Sequence, residues 1–353
     1  TDSAGNISDP GTDAATLDLT APSEPTVVID EDVNDDGFIN NDELDGPVNA
    51  TVEVPTDAQP GDILTVTDQA GNVLFDGPIT QDLIDNGVPV EATPPADGEP
   101  VAITATLTDP AGNESDPGTD AATLDLTAPS APVVVITEDA NDDGLISSNE
   151  LDGTIQATVT LLPDVQVGDT LTVTDQAGNV LFDAPVLQND LDNGVIVNVA
   201  PPADGSDVTV TAVVSDPAGN VSDPGADTAT LDLTAPNAPT VIIDEDINDD
   251  GLISGDELDG PVNATVEIPA DAQVGDTLTV TDQDGTVLFD EPITQDHIDN
   301  GVPVETTAPA DGEPVEISAT LTEQAGNVSA PGTDAATDDL KAPAAPIVTI
   351  TED

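Results

Sequence analysis

The chain has 353 residues, with 73 aspartates and glutamates against one lysine or arginine and a formal net charge of −72. Such a charge repels nucleic-acid phosphates and anionic lipid and attracts cations. The absence of cysteine excludes disulfide and thiol chemistry, the one histidine supports no nucleophile–base pair, and no apolar run approaches the roughly 20 residues that span a bilayer.

High charge with few aromatics is one mark of disorder. Against it, 37% of the residues are apolar and many alternate with polar ones in short runs, which predicts a folded chain of marginal stability without counter-ions. No signal peptide is visible at Thr1, and the chain starts and ends in mid-pattern, so it reads as a piece of something longer.

Taken from the N-terminus, the first landmark is Leu-Asp-Leu-Thr-Ala-Pro around Asp18. It recurs around Asp125 and Asp232 and continues as Asp-Asp-Leu-Lys-Ala-Pro at Asp339, each 107 residues after the last. Phe75, Phe182 and Phe289 keep the same step, and the repeated phenylalanine is read as a core residue. This is a tandem array whose unit suits a self-contained domain. The expected division is 1–20, the C-terminal part of a preceding repeat; 21–127, 128–234 and 235–341, three full repeats; and 342–353, the start of another with its first strand at 346–353. Two prolines in Thr-Ala-Pro-Ser-Glu-Pro and its equivalents favour a stiff, extended connection.

After the linker and one strand comes Asp-Val-Asn-Asp-Asp-Gly-Phe-Ile-Asn-Asn-Asp-Glu, 32–43. Oxygen side chains stand at positions 1, 3, 5, 9 and 12 and glycine at 6, the spacing of a helix–loop–helix calcium loop, yet both flanks read as strands. The candidate ligands are Asp32, Asn34, Asp36, the Phe38 carbonyl, Asn40 and Glu43. In the second copy they are Asp139, Asn141, Asp143, the Leu145 carbonyl, Ser147 and Glu150. In the third they are Asp246, Asn248, Asp250, the Leu252 carbonyl, Ser254 and Glu257. An all-oxygen shell suits hard Ca2+. Ile39, Ile146 and Ile253, at position 8, are placed to anchor the loop to a core. The plainer reading is an acidic surface loop, which three copies with Asp, Asn, Asp, Gly and Glu in place make hard to sustain.

The second repeat then gives seven strands: Val133–Thr137 ahead of the loop, and Thr154–Leu161, Thr170–Thr174, Val180–Phe182, Val195–Val199, Asp207–Ser215 and Ala226–Leu233 after it. Thr, Val, Ile and Leu alternate in them, and Gln-Ala-Gly-Asn, Pro-Ala-Asp-Gly and Asp-Pro-Ala-Gly-Asn supply the turns. The fold class predicted is all-β, tandem immunoglobulin-like sandwiches in an elongated rod. A helical turn is expected near Gln188–Asp192. Its equivalent Asp82–Gly87 reads as a capped turn or as a ligand cluster. His297 aligns with Leu83 and Asp190 and is given no role.

Near the end of each repeat stands a second acidic group: Asp109, Asn113 and Asp116 with Asp125. Its equivalents are Asp2, Asn6, Asp9 and Asp18, then Asp216, Asn220, Asp223 and Asp232. Two readings stand open: a cation site between repeats, or a hairpin turn followed by a solvated strand. The third repeat has Glu323 and Asn327, with Ala330 at the place of Asp116 and Lys341 at that of Thr127, so its junction is expected to bind calcium poorly. Paired carboxylates could in principle hydrolyse glycosides. No Trp or Tyr is present to stack on a sugar, and near-identical tandem copies suit spacing better than catalysis, so no enzyme is expected.

These Leu-Thr-Ala-Pro-x-x-Pro linkers, Thr-Asp-x-Ala-Gly-Asn turns and Asp-rich loops resemble the tandem immunoglobulin-like extender repeats of giant RTX, biofilm-associated bacterial adhesins, over essentially the whole chain. The resemblance implies a cell-surface, extracellular protein exported by a type I system, with calcium at and near the junctions stiffening a monomeric rod that carries an adhesive tip. The partners it implies are calcium ions and neighbouring repeats, with no nucleic acid and no membrane insertion in this stretch. The rival is a module that grips a glycan or protein directly, which predicts one repeat with a distinctive exposed patch.

Overall fold

In the computed structural model, which describes residues 1–258 and 260–349, one β-sandwich occurs three times along the chain. The first comprises β1 (Thr26–Ile29), β2 (Phe38–Ile39), β3 (Val48–Glu53), β4 (Ile63–Asp68), β5 (Val73–Pro78), α1 (Gln81–Asn86), β6 (Val88–Ala92), β7 (Pro100–Thr108) and β8 (Gly118–Leu124). The second comprises β9 (Val133–Ile136), β10 (Leu145–Ile146), β11 (Ile155–Thr160), β12 (Thr170–Asp175), β13 (Val180–Pro185), α2 (Gln188–Asn193), β14 (Val195–Val199), β15 (Asp207–Ser215) and β16 (Gly225–Leu231). The third comprises β17 (Thr240–Ile243), β18 (Leu252–Ser254), β19 (Val262–Glu267), β20 (Thr277–Asp282), β21 (Val287–Pro292), α3 (Gln295–Asn300), β22 (Val302–Thr306), β23 (Pro314–Thr322) and β24 (Gly332–Asp339).

Alternation makes these strands two-faced. In β7, Val101, Ile103, Ala105 and Leu107 are fully buried while the residues between them stay half-exposed. An antiparallel three-stranded sheet, β1-β3-β6, packs against a five-stranded sheet, β2-β8-β7-β4-β5. Their inner faces share one core, with Ile29, Val48 and Val52 from the first and Ile39, Leu64, Ile103 and Leu107 from the second. The expectation of an all-β immunoglobulin-like sandwich therefore holds.

Sequence reading missed one strand per sandwich. Loop positions 7 and 8 form the two-residue β2 and β10, and with position 9 the three-residue β18, each pairing in parallel with the last strand of its sandwich: Phe38 faces Thr123 and Ile39 faces Leu124. A run this short carries no periodicity to read. The position-8 isoleucines Ile39, Ile146 and Ile253 are completely buried, as expected of anchors. The phenylalanines are instead half-buried: Phe75, Phe182 and Phe289 lean on the rim of each core.

The helical turn appears as α1, α2 and α3, closed by Gly87, Gly194 and Gly301 at positive φ. The position of His297 has a use after all. Asp190 Oδ2 accepts the Leu187 N–H at 2.9 Å and His297 Nδ1 accepts the Thr294 N–H at 3.3 Å, so each closes its helix start. The His297 ring also meets Phe289 edge-on, with centroids 5.7 Å apart.

Residues 1–20 form no strand, and Ile7, Leu17 and Leu19 are exposed. Residues 342–349 likewise carry no strand, unlike the one expected at 346–353, whose last four residues lie outside the described ones. A strand needs a paired neighbour to hold it. Among the described residues no helix is long and apolar enough to cross a membrane.

Candidate functional site

The acidic loops are built around backbone amides. In the first, Asp32 accepts the N–H of Asp36 and of Gly37, each at 3.0 Å, Asn34 Oδ1 accepts Asp36 N–H at 2.9 Å, and Asp36 accepts Phe38 N–H at 2.8 Å. Glu43 Oε2 accepts Asn40 N–H at 3.0 Å. The second loop repeats this with Asp139, Asn141, Asp143 and Glu150, the last also taking the Ser147 hydroxyl. The third repeats it with Asp246, Asp250 and Glu257. Asn248 completes the sequence pattern there, with no side-chain bond of the kind Asn34 and Asn141 make to position 5. Asp35, Asp142 and Asp249 turn the chain at φ of 58°, 60° and 57°, followed two residues later by the glycines, Gly37 at 86°. Asp is among the few L-residues that accept this region.

The parallel pairing bears on the position-7 carbonyl. Thr123 N–H donates to Gly37 O and Asp125 N–H to Ile39 O, so these bonds pass over the carbonyl of Phe38. Leu145 is passed over in the same way between Gly144 and Ile146. The donor set thus fits a hard cation in kind. Among the described residues, however, no group of three or more His, Cys, Asp or Glu side chains converges as a metal cluster would. Asp32, Asp36 and Glu43, and their equivalents, face amides instead, the arrangement that keeps like charges apart.

The second acidic group belongs to the junctions. Asp109 seals its own turn, accepting Ala111 N–H, Asn113 N–H and the Asn113 amide, and Asp2 does the same with Asn6. Beyond sealing the turn, the asparagine reaches across. Asn220 Nδ2 donates to Asp125 O at 3.0 Å while its Oδ1 accepts Asn41 N–H at 3.2 Å. Asn40, loop position 9, returns a bond to Ala218 O at 2.8 Å. One junction later, Asn327 donates to Asp232 O and accepts Ser148 N–H, both at 2.8 Å, and Asn149 donates to Gly326 O at 3.2 Å. At the N-terminal side Asn113 donates to Asp18 O at 3.4 Å.

These contacts regroup the junction residues. The grouping expected within one repeat, Asp109 with Asp125, is replaced by pairs across junctions: Asp18 with Asp109, and Asp125 with Asp216. A sandwich carries the two sets at opposite ends. Asp125, Asp164, Asp169 and Asp216 line an open pocket of about 460 Å³ at the middle junction. Asp18, Asp57, Asp62 and Asp109 line its equivalent. Desolvation raises the Asp125 and Asp169 carboxyls above the usual range, with the charge of Asp216 adding to both. Desolvation likewise raises Glu323, beside Asp232 and Asp276. The third repeat's departures therefore fall at two places: Glu323 at the junction with the second sandwich, Lys341 beyond the third. Asp9, Asp116 and Asp223 are exposed and line neither pocket.

Sequence reasoning missed three carboxylates per repeat. Asp62, Asp169 and Asp276 are almost fully buried at the junction. Asp57, Asp164 and Asp271 hold the linker's far end, accepting Ser23, Ser130 and Asn237 N–H at 3.1, 2.8 and 2.9 Å. Asp97, Asp204 and Asp311 hold its near end, each accepting the N–H of Leu126, Leu233 or Leu340 at 2.7–2.8 Å. The signals were the Asp-x-Gln-x-Gly-Asp and Pro-Ala-Asp-Gly strings at fixed repeat phase.

Hydrogen bonds lower these linker carboxyls: the Thr127 hydroxyl lowers Asp97 and the Ser130 amide lowers Asp164. A depressed carboxyl contributes above its unfolded pKa and loses that contribution as pH falls through its folded value. The Leu126 and Ser130 amide protons should therefore shift in NMR spectra with midpoints below the ordinary 3.8. Midpoints above 3.8 would remove these clamps.

No family model and no curated protein matches the chain. Solved structures do. A 1.5-MDa bacterial ice-binding adhesin matches at 20% identity over 92% of this chain and 100% of that one, TM-score 0.40. A Ca2+-stabilised adhesin with which an Antarctic bacterium binds ice matches at 24% over 93% and 76%, TM-score 0.41. A tetra-tandem repeat from the extending region of a large adhesion protein matches at 20% over 90% and 74%, TM-score 0.26. The sandwich assignment rests on the sheets themselves.

Proposed function

We propose that this chain is a calcium-stiffened spacer of a bacterial cell-surface adhesin: repeats 21–127, 128–234 and 235–341 form a rod that holds an adhesive part away from the cell. The observation behind this reading is the junction, where the acidic loop of one sandwich docks on the Asp-Pro-Ala-Gly-Asn turn of the next and the linker is held at both ends. A flexible tether needs neither contact.

Asp32, Asn34, Asp36, Asn40 and Glu43 with the Phe38 carbonyl, and their equivalents, would hold the loop ion. Asp125, Asp169 and Asp216 would hold one at the junction. A bound Ca2+ supplies positive charge where carboxylates crowd. The chain's own residues do the rest: Asn40 and Asn41 transmit the order of the loop to the next sandwich, and the Asp97 and Asp164 clamps limit the swing of the linker. Millimolar calcium outside a cell fills sites of modest affinity, and binding to the folded form alone adds stability. Type I export with folding outside the cell follows from the same reading, as does the absence of catalysis.

Small-angle scattering in EDTA and then in rising calcium tests this. The expected result is a maximum dimension that grows and sharpens with calcium but not with magnesium at equal ionic strength. An unchanged profile, with no calcium bound by calorimetry, would overturn the reading.

A further inference from the structure

Asp338 stands where the first two sandwiches have Leu124 and Leu231, 107 residues apart in the same register. Those leucines are core residues of β8 and β16. Asp338 occupies the same place in β24 at 0% exposure, and both its carboxyl oxygens are buried without a hydrogen-bond partner among the described residues. Its backbone is fully engaged: its N–H donates to Glu313 O, its carbonyl accepts Gly312 N–H, and it pairs with the buried Ile253. The strand therefore holds the side chain inside. Burial pushes the carboxyl up, and the like charge of Asp311 adds to this.

Two further departures lie in the same sandwich. Thr306, nearly buried, replaces the core residues Ala92 and Val199. The chain's single basic residue of the lysine–arginine type, Lys341, stands where the other repeats have Thr127 and Thr234, and it pairs with Asp311. One polar replacement can be absorbed, but an unpartnered buried carboxyl is among the costlier defects a core can carry.

We propose that the third sandwich is the yielding element of the array, the first to open, and that Asp338 sets this order. Lys341 eases the defect by neutralising Asp311 next to it. The ranking does not depend on calcium or on the spacer reading. Under that reading, it makes the third sandwich the part that lengthens first when the chain is pulled.

Hydrogen exchange read by mass spectrometry on the full chain, in calcium-containing buffer, tests it. Strand peptides of 240–339 should exchange about tenfold or more faster than their equivalents in 133–231. Asp338→Leu should bring them level, Asp338→Asn should leave most of the gap, and Lys341→Thr should widen it. Equal protection of the second and third sandwiches in the unaltered chain would overturn the proposal, as would an Asp338→Leu chain with unchanged protection. The reciprocal Leu231→Asp should make the second sandwich open as early as the third.

Discussion

Gly225→Ala is expected to cost the second sandwich about 3 kcal/mol or more, enough to separate its unfolding from that of its neighbours. A Cβ there would lie 1.8 Å from Pro132 O and 2.8 Å from Pro132 C, and the same 1.8 Å approach recurs for Gly118 on Pro25 and Gly332 on Pro239. The obstacle is backbone, which cannot rotate away as a side chain can. Pro132 ends the linker and β16 closes the sandwich, so relief requires lifting the last strand or the chain entry. Urea unfolding of the full chain, with Gly255→Ala as comparison, checks this. The nearest atom to a Cβ at Gly255 is Leu340 O at 3.7 Å, so that change should stay within about 0.5 kcal/mol. Similar losses for the two variants would mean that close packing at the chain entry is not what demands glycine.

Asn220→Ala should turn the junction between the first and second sandwiches into a hinge. The substitution removes bonds to Asp125 O, to Asn41 N–H and to its own Asp216. The local loss is about 1 kcal/mol for each bond, but two of the three join different sandwiches. Asn72 provides the comparison, since it seals the turn at Asp68 with the same two bonds, inside one sandwich. In NMR relaxation measurements the unaltered chain and Asn72→Ala should show linked tumbling of the first two sandwiches, and Asn220→Ala independent tumbling. Asn327→Ala should free the next junction only. Equal tumbling of Asn72→Ala and Asn220→Ala would leave the amide bridge without a part in holding the junction.

Much of this was legible in the residues. The step of 107 placed the repeats, alternation such as Val-Thr-Val-Thr-Ala-Val-Val gave β15 to the residue, and the helical turn expected near Gln188–Asp192 is α2. The loop spacing with its position-8 isoleucine foretold the buried Ile146. Each of these is a local relation, fixed by backbone geometry within a few residues, and a repeated sequence states it three times.

What the tertiary structure decided is distant pairing. Asn41 meets Asn220 across 179 residues and Asp125 meets Asn220 across 95, so the acidic group that looked continuous along one repeat is split between the two ends of a sandwich. Asp62, Asp169 and Asp276 are almost fully buried, and the first two line the junction pockets beside the preceding linker and the Asp-Pro turn of their own sandwich. Asp338 is one acid among many in the sequence, and the pairing of β24 with β23 and β18 holds it inward. The sequence by itself determined which elements form and how often. Which carboxylates share a space was decided by packing, because the energy of a charge depends on its neighbours in three dimensions and on the water it has lost.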